Sequence, residues 1–362
     1  MAQTLAEEPA SFEGEALVDG AGNVWLPYDL PHLRAPSTGW TRLSRRREVR
    51  HAGRRPFDWR APARDELHIL NGMGVTLGDS IIGMNALAWM KRRHPTLRIH
   101  LYRTPHAPVF VERLYELASH IVEPVTYLPR SLETLPDDVV DLSDFLYWPS
   151  FASTPMVDFF IRGLGIAADA VPASAKANRW LSRLPLPSIP APWSTRRYVL
   201  LCDQASTPLR TLPDEHAAAM VDRIWDRYGI PVLGFRPIAH PRYHDVSRHS
   251  RNLDQYMAWV KGAAAVIGTD SSAIHVAAGF DVPTMAIFVS IDPGLRARDY
   301  WHCRALDERT ALTDGLHESD DPAVLREVRR IWRAILVRAE LPWPDLAHHR
   351  VQASETALAM PA

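Results

Sequence analysis

Beyond residue 65 the chain alternates short apolar runs with longer stretches whose apolar positions recur every three or four residues. The short runs predict buried strands and the longer stretches predict amphipathic helices. In the first half, strands are expected over 67–70, 97–102, 121–127 and 139–142, and helices over 79–93, 107–118 and 156–164. The rhythm breaks at Leu184-Pro185-Leu186-Pro187-Ser188-Ile189-Pro190-Ala191-Pro192, where four prolines exclude a helix or a central strand and mark a linker. It resumes with strands over 198–202, 231–235, 263–267 and 282–288 and helices over 213–228 and 253–262. A long helix over 320–339 closes the pattern, with Val324, Val328, Ile331, Ile335 and Leu336 at helical spacing. Such alternation predicts an α/β protein with parallel sheets covered by helices on both faces.

The expected organisation is a first domain over 65–183, a Pro-rich linker over 184–195, a second domain over 196–318, a C-terminal helix over 319–345 and a tail over 346–362. Residues 1–64 read differently, as an extension. Turn residues between short apolar segments over 16–26 suggest a hairpin. An Arg-rich run follows, comprising Arg42, Arg45, Arg46, Arg47, Arg50, Arg54, Arg55, Arg60 and Arg64. A solvated surface is the ordinary reading of such a run. A patch that meets an anionic acceptor or a membrane surface is the alternative.

At 362 residues and 46% hydrophobic content the chain is long enough for two cores. A net charge of −1, with no nucleic-acid-binding motif, gives no reason to expect a nucleic-acid partner. The acidic start lacks the apolar segment of a signal peptide, and no apolar run approaches a membrane span, so a cytoplasmic protein is expected. Two distant cysteines, Cys202 and Cys303, exclude a disulfide framework and argue against a cysteine metal cluster. The histidines lack the spacing of a zinc motif, so no metal site is expected.

Three turns carry candidate chemistry. Gly268-Thr269-Asp270-Ser271-Ser272 lies where an apolar strand gives way to an Ala-rich helix containing His275. Unpaired N–H groups and the positive end of the helix dipole suit such a turn to a phosphate, while a plain helix cap is the alternative for its acid and hydroxyls. Gly74-Val75-Thr76-Leu77-Gly78-Asp79 follows the first strand of the first domain and is neither a Walker loop nor a dinucleotide fingerprint. Here Asp79 is either an N-cap or a cleft carboxylate. Ser206-Thr207-Pro208-Leu209-Arg210 follows the first strand of the second domain and offers a cation and two hydroxyls to an anion. Trp148, Trp180, Trp193 and Trp301 are candidates for a sugar cleft, with core packing as the ordinary role.

In order and spacing these motifs resemble the ADP-heptose:lipopolysaccharide heptosyltransferases. Asp270, Ser271, Ser272 and His275 stand at that family's Asp-Thr-Gly-x-x-His positions, with Ser272 replacing the glycine. Ile291-Asp292-Pro293 echoes its later Thr-Asp-Pro turn, and Gly78-Asp79-Ser80-Ile81-Ile82 its opening unit. The resemblance implies a GT-B fold of two Rossmann-like domains facing a cleft, with the C-terminal helix packing back toward the first. It implies an inverting, metal-independent glycosyltransferase with Asp79 as general base. Arg210, Ser206, Thr207, Thr269, Asp270, Ser271, Ser272 and His275 would hold the donor, and Gly74 and Gly78 would form the acceptor-side turn. No cofactor is implied beyond the nucleotide-sugar co-substrate, ADP-heptose in the family. The acceptor would be a glycan, lipid-linked or protein hydroxyl, with peripheral membrane contact in the lipid-linked case. Where the family commonly has an acid for the donor ribose, this chain has Arg236, which leaves another nucleotide sugar as an alternative. A nucleotide-sugar-binding or assembly protein that keeps the fold without turnover is a separate alternative.

Overall fold

The computed structural model describes residues 14–33, 39–47, 49–53, 59 and 65–346. Arg54, Arg55, Arg60, Arg64 and nearly all of the expected tail lie outside the described residues. The chain divides into two units, Met1–Pro185 with Gly294–Asp299 and Leu186–Pro293 with Tyr300–Ala362.

The first unit begins with β1 (Leu17–Val18), β2 (Asn23–Trp25), β3 (Thr41–Arg42) and β4 (Val49–His51). The expected hairpin is β1–β2, closed by Asp19, whose carboxylate accepts from the Ala21 and Asn23 amides. Next come β5 (Glu66–Leu70), α1 (Leu77–Arg93), β6 (Arg98–Arg103), α2 (Val109–Leu117), β7 (Thr126–Tyr127), β8 (Arg130–Ser131), β9 (Val139–Asp141), α3 (Met156–Gly163) and α4 (Ala173–Lys176). The order β4-β9-β5-β6-β7 makes a five-stranded parallel sheet, and β3-β1-β2-β8 a small antiparallel one.

Residues 14–51 therefore do not form an appendage. Ala16, Val18, Val24, Leu26 and Leu43 share one buried cluster with Leu70, Tyr102 and Val139, and β4 is the edge strand of the main sheet. Nor is the Arg-rich run uniformly solvated. Arg42 is buried against Glu15 at 3.1 Å and Arg50 pairs with Asp138 at 2.7 Å, whereas Arg45, Arg46 and Arg47 are exposed. The strand expected over 121–127 shrinks to β7, because the amides of Ile121 and Val122 bond back to the Ala118 carbonyl as α2 ends.

The second unit contains β10 (Val199–Cys202), α5 (Asp214–Tyr228), β11 (Val232–Gly234), β12 (Tyr243–Asp245), α6 (Leu253–Gly262), β13 (Ala265–Thr269), α7 (Ser272–Gly279), β14 (Thr284–Phe288), β15 (Cys303–Asp307) and α9 (Pro322–Val337), with the short α8 (Pro293–Arg296) before β15. Its six-stranded sheet is parallel throughout, in the order β12-β11-β10-β13-β14-β15. Every residue of β10, β11, β13 and β14 is buried, which is why these strands read as unbroken apolar runs. Helix α5 carries Asp214 and Glu215 in its first turn and stops at Gly229, whose φ of 63° only glycine adopts at little cost.

The C-terminal helix departs from expectation. Val324, Val328, Ile331, Trp332 and Ile335 of α9 pack into the core of the second unit with Met220 and Ile224 of α5, and Arg223 donates to the Leu336 carbonyl at 3.0 Å. The segment assigned to the first unit is instead Gly294–Asp299, where Arg298 donates to Asp158 at 2.8 Å. Among the described residues no helix is long and apolar enough to cross a membrane.

Candidate active site

Each parallel sheet reverses its strand order beside its first core strand, and ligands of doubly wound sheets bind at the carboxyl ends of strands at such reversals. In the second unit the reversal falls between β10 and β13, the strands that precede two of the three candidate turns.

The two turns meet. Arg210 donates through Nη1 to the Asp270 carbonyl at 3.1 Å and to Asp270 Oδ2 at 3.2 Å, through Nη2 to Ser206 Oγ at 2.7 Å, and through Nε toward Thr207 Oγ1 at 3.4 Å. Four residues from two turns some sixty positions apart thus form one polar cluster. Asp270 is buried and engages Arg210, so its carboxylate orients the guanidinium rather than standing open to sugar hydroxyls.

Ser271 is the N-cap residue of α7 but its side chain makes no capping bond, so the capping alternative fails for it. Ser272 Oγ lies 3.4 Å from the hydroxyl of the half-buried Tyr256. Thr269 Oγ1, at the end of β13, is buried without a hydrogen-bond partner. His275 sits inside α7, buried, with Nδ1 2.8 Å from the Tyr300 hydroxyl. The helix N-terminus is accordingly left with uncapped amides beside a cation and several hydroxyls, the equipment of an anion site.

Arg236 is occupied. It donates to the buried Asp203 at 2.6 Å and to Asp214 at the start of α5. Burial pushes the Asp203 carboxyl up while Arg236 pulls it down.

In the first unit the reversal lies between β5 and β9, next to the turn that carries Asp79. Thr76, not Asp79, is the N-cap of α1: its hydroxyl accepts from the Asp79 amide at 3.4 Å. Asp79 is thereby placed in the first helical turn, half-buried. The backbone of Asn71, Gly72 and Gly74 is left-handed, with φ of 67°, 50° and 72°. A Cβ on Gly74 would lie 3.0 Å from the Phe145 ring, so only glycine fits this bend. Gly78 is half-buried at the second position of α1.

Sequence reasoning missed what holds this turn. Arg103, at the end of β6, is 1% exposed, donates to the Gly74 carbonyl at 2.9 Å, stacks on Tyr115 and pairs with Glu112 at 2.8 Å. Tyr28, from the N-terminal segment, brings its hydroxyl to 3.6 Å from the Cβ position of Gly74. Its phenol is pushed up to about 12, chiefly by burial and further by the Asp79 charge, against a hydrogen bond with Asn71. No local motif announces either residue, since both act across the sheet from positions that read as strand and loop.

Of the four tryptophans, Trp180 is core, donating to the Ile81 carbonyl at 3.2 Å, while Trp301 is exposed. Trp193 packs against His244. Trp148 lines a cavity of about 460 Å³ with His51, Asp144, Tyr147 and Arg162, and its indole donates to Asp144 at 2.7 Å.

Residues 250–303, which span α6 to the start of β15, match the model of glycosyltransferase family 9 (heptosyltransferase). A search of curated proteins finds no match. Among solved structures the chain is similar to ADP-heptose lps heptosyltransferase II of E. coli, at 15% identity and a TM-score of 0.48, with 75% of this chain and 99% of that one covered. A family 9 glycosyl transferase of Veillonella parvula gives 15% identity and a TM-score of 0.47, with 77% and 98% covered. The E. coli heptosyltransferase WaaC with ADP-2-deoxy-2-fluoro heptose gives 15% identity and 0.43, with 67% and 92% covered. The matched segment contains the Asp270 turn, α7 and His275, and through it the chain resembles the family 9 heptosyltransferases, a resemblance that supports glycosyltransferase activity.

Proposed function

We propose that the chain transfers a sugar from a nucleoside-diphosphate sugar to an acceptor hydroxyl, without a metal ion in the transfer step and with inversion at the anomeric carbon. The observation that carries the reading is the Arg210 cluster at the β10–β13 reversal, lying partly within the segment that matches family 9. The α7 N-terminus and Arg210 supply the positive charge that a departing diphosphate needs, a preorganised electrostatic site. Thr269, Ser271, Ser272, Ser206 and Thr207 supply hydroxyls around it, Asp270 fixes Arg210, and His275 with Tyr300 braces the helix. Asp79 is the general base that takes the proton of the attacking hydroxyl, help typically worth ~10²–10⁴ in rate. The donor proposed is ADP-heptose and the acceptor a glycan of the lipopolysaccharide-core type.

A second reading keeps the chemistry and changes the nucleotide. Arg236 stands where the family commonly has an acid for the donor ribose, and its ion pairs with Asp203 and Asp214 tie it in place. One experiment tests both readings: ADP, UDP and GDP are titrated calorimetrically into the full chain with and without EDTA, and into Arg210→Ala. The proposal expects ADP to bind regardless of EDTA and Arg210→Ala to weaken it about tenfold or more, as loss of a charge-assisted contact does. Binding of UDP or GDP in place of ADP selects the second reading. Binding that vanishes with EDTA overturns the metal-free step.

A further inference from the structure

The sheet of the first unit carries a second cluster, at the opposite end of its strands from Asp79. Strands β5 and β6 pair in parallel with Glu66 opposite Arg98, His68 opposite His100 and Leu70 opposite Tyr102. Residues two apart on a strand share a face, so this register brings Glu66, His68 and His100 together on one side of the sheet. Their ligand atoms all lie within 4.8 Å of one another. His68 Nε2 is 3.0 Å and His100 Nε2 3.9 Å from the same carboxylate oxygen, Glu66 Oε2.

From these contacts we infer that Glu66, His68 and His100 form a binding site for one divalent cation of the zinc type, which ties β5 to β6. Zinc held tetrahedrally at ~2.1 Å by nitrogen and oxygen sets its ligand atoms about 3.4 Å apart, and the two observed separations bracket that spacing. Two imidazoles and one carboxylate are a donor set that zinc accepts, leaving a fourth position for water. His68 Nδ1 lies 3.1 Å from the Tyr102 hydroxyl, the outer hydrogen bond that turns the other ring nitrogen toward a metal. His100 Nε2 is buried and has no hydrogen-bond partner. Arg98 pairs with the other oxygen, Glu66 Oε1, so Oε2 is the one presented to the imidazoles. The two rings stack 4.5 Å apart and nearly parallel, so binding requires both imidazoles to rotate about their side-chain bonds until their lone pairs converge on the ion. Five residues of strand and turn, roughly 16 Å, separate Glu66 from Asn71. The cation is therefore structural and independent of the transfer reaction.

The test uses the full chain, stripped with EDTA, dialysed, and titrated calorimetrically with zinc chloride. One equivalent is expected to bind and to raise the melting temperature. The same one-to-one binding should disappear in His68→Ala and in His100→Gln and weaken about tenfold in Tyr102→Phe. In the unmodified protein, zinc should also protect His68 and His100 from carbethoxylation, read by peptide mass mapping, which decides the matter if either variant fails to fold. Absence of zinc binding, binding unchanged in both histidine variants, or unprotected His68 and His100 would each overturn the site.

Discussion

Arg103 and Asp141 show how single buried charges shape the first unit. Arg103 ties the Gly74 carbonyl to Glu112, and removing one partner of such a buried pair strands the other. Arg103→Ala is expected to cost about 3–5 kcal/mol in urea unfolding. A loss below about 1 kcal/mol would show that the turn holds without it. At Asp141 burial pushes the carboxyl up to about 6, against the lowering influence of His51 and the Ser143 amide. A carboxyl raised in the folded state contributes stability that is full below its unfolded value near 4 and is lost as pH rises through about 6. Asn cannot ionise, so Asp141→Asn should gain on the parent by about 1–3 kcal/mol between pH 4 and pH 7. A stability difference that stays constant over that range contradicts the assignment. At this scale the sequence displayed residues inside motifs, such as Asp270 and Arg210. It hid Arg103 and Asp141, whose partners come from other elements.

Among the elements, β10, β13 and β14 were legible as unbroken apolar runs and α5 from its apolar stripe, whereas β8, β12 and β15 were not. Nor was the N-terminal segment. Its strands are two or three residues long, too short for a period to register, and its buried polar groups are satisfied only in the fold. Asp29, for example, accepts from the Leu26 amide at 3.0 Å and from the Thr104 hydroxyl. Helix α9 was legible as a helix but not in its partner, since an apolar stripe names no particular core. Because residues 16–43 cover Leu70, Tyr102 and Val139 and deliver Tyr28 to the Asp79 turn, deleting residues 1–45 should uncover that core. The shortened chain is expected to bind a hydrophobic dye and to melt at a lower temperature, whereas unchanged melting would return the segment to the status of an appendage.

For the whole molecule, two parallel sheets each reverse their strand order beside a chemically equipped turn. One turn presents a cation, hydroxyls and an uncapped helix N-terminus; the other presents a carboxylate held in a first helical turn by Thr76 and a left-handed bend. The position of both turns was legible in the sequence because each is local, a strand followed by a helix with its polar residues adjacent. What Arg236 does was not, as its partners Asp203 and Asp214 lie across the sheet. The account stands on Asp79 as the base of a sugar transfer. Asp79→Asn preserves size and one acceptor oxygen but cannot take a proton at neutral pH. With the donor identified by titration, the most direct measurement compares kcat for transfer by the parent and by Asp79→Asn, alongside the donor Kd of each. The account predicts a fall in kcat of ~10²-fold or more with the donor Kd unchanged. Transfer by Asp79→Asn at close to the parent rate would contradict it.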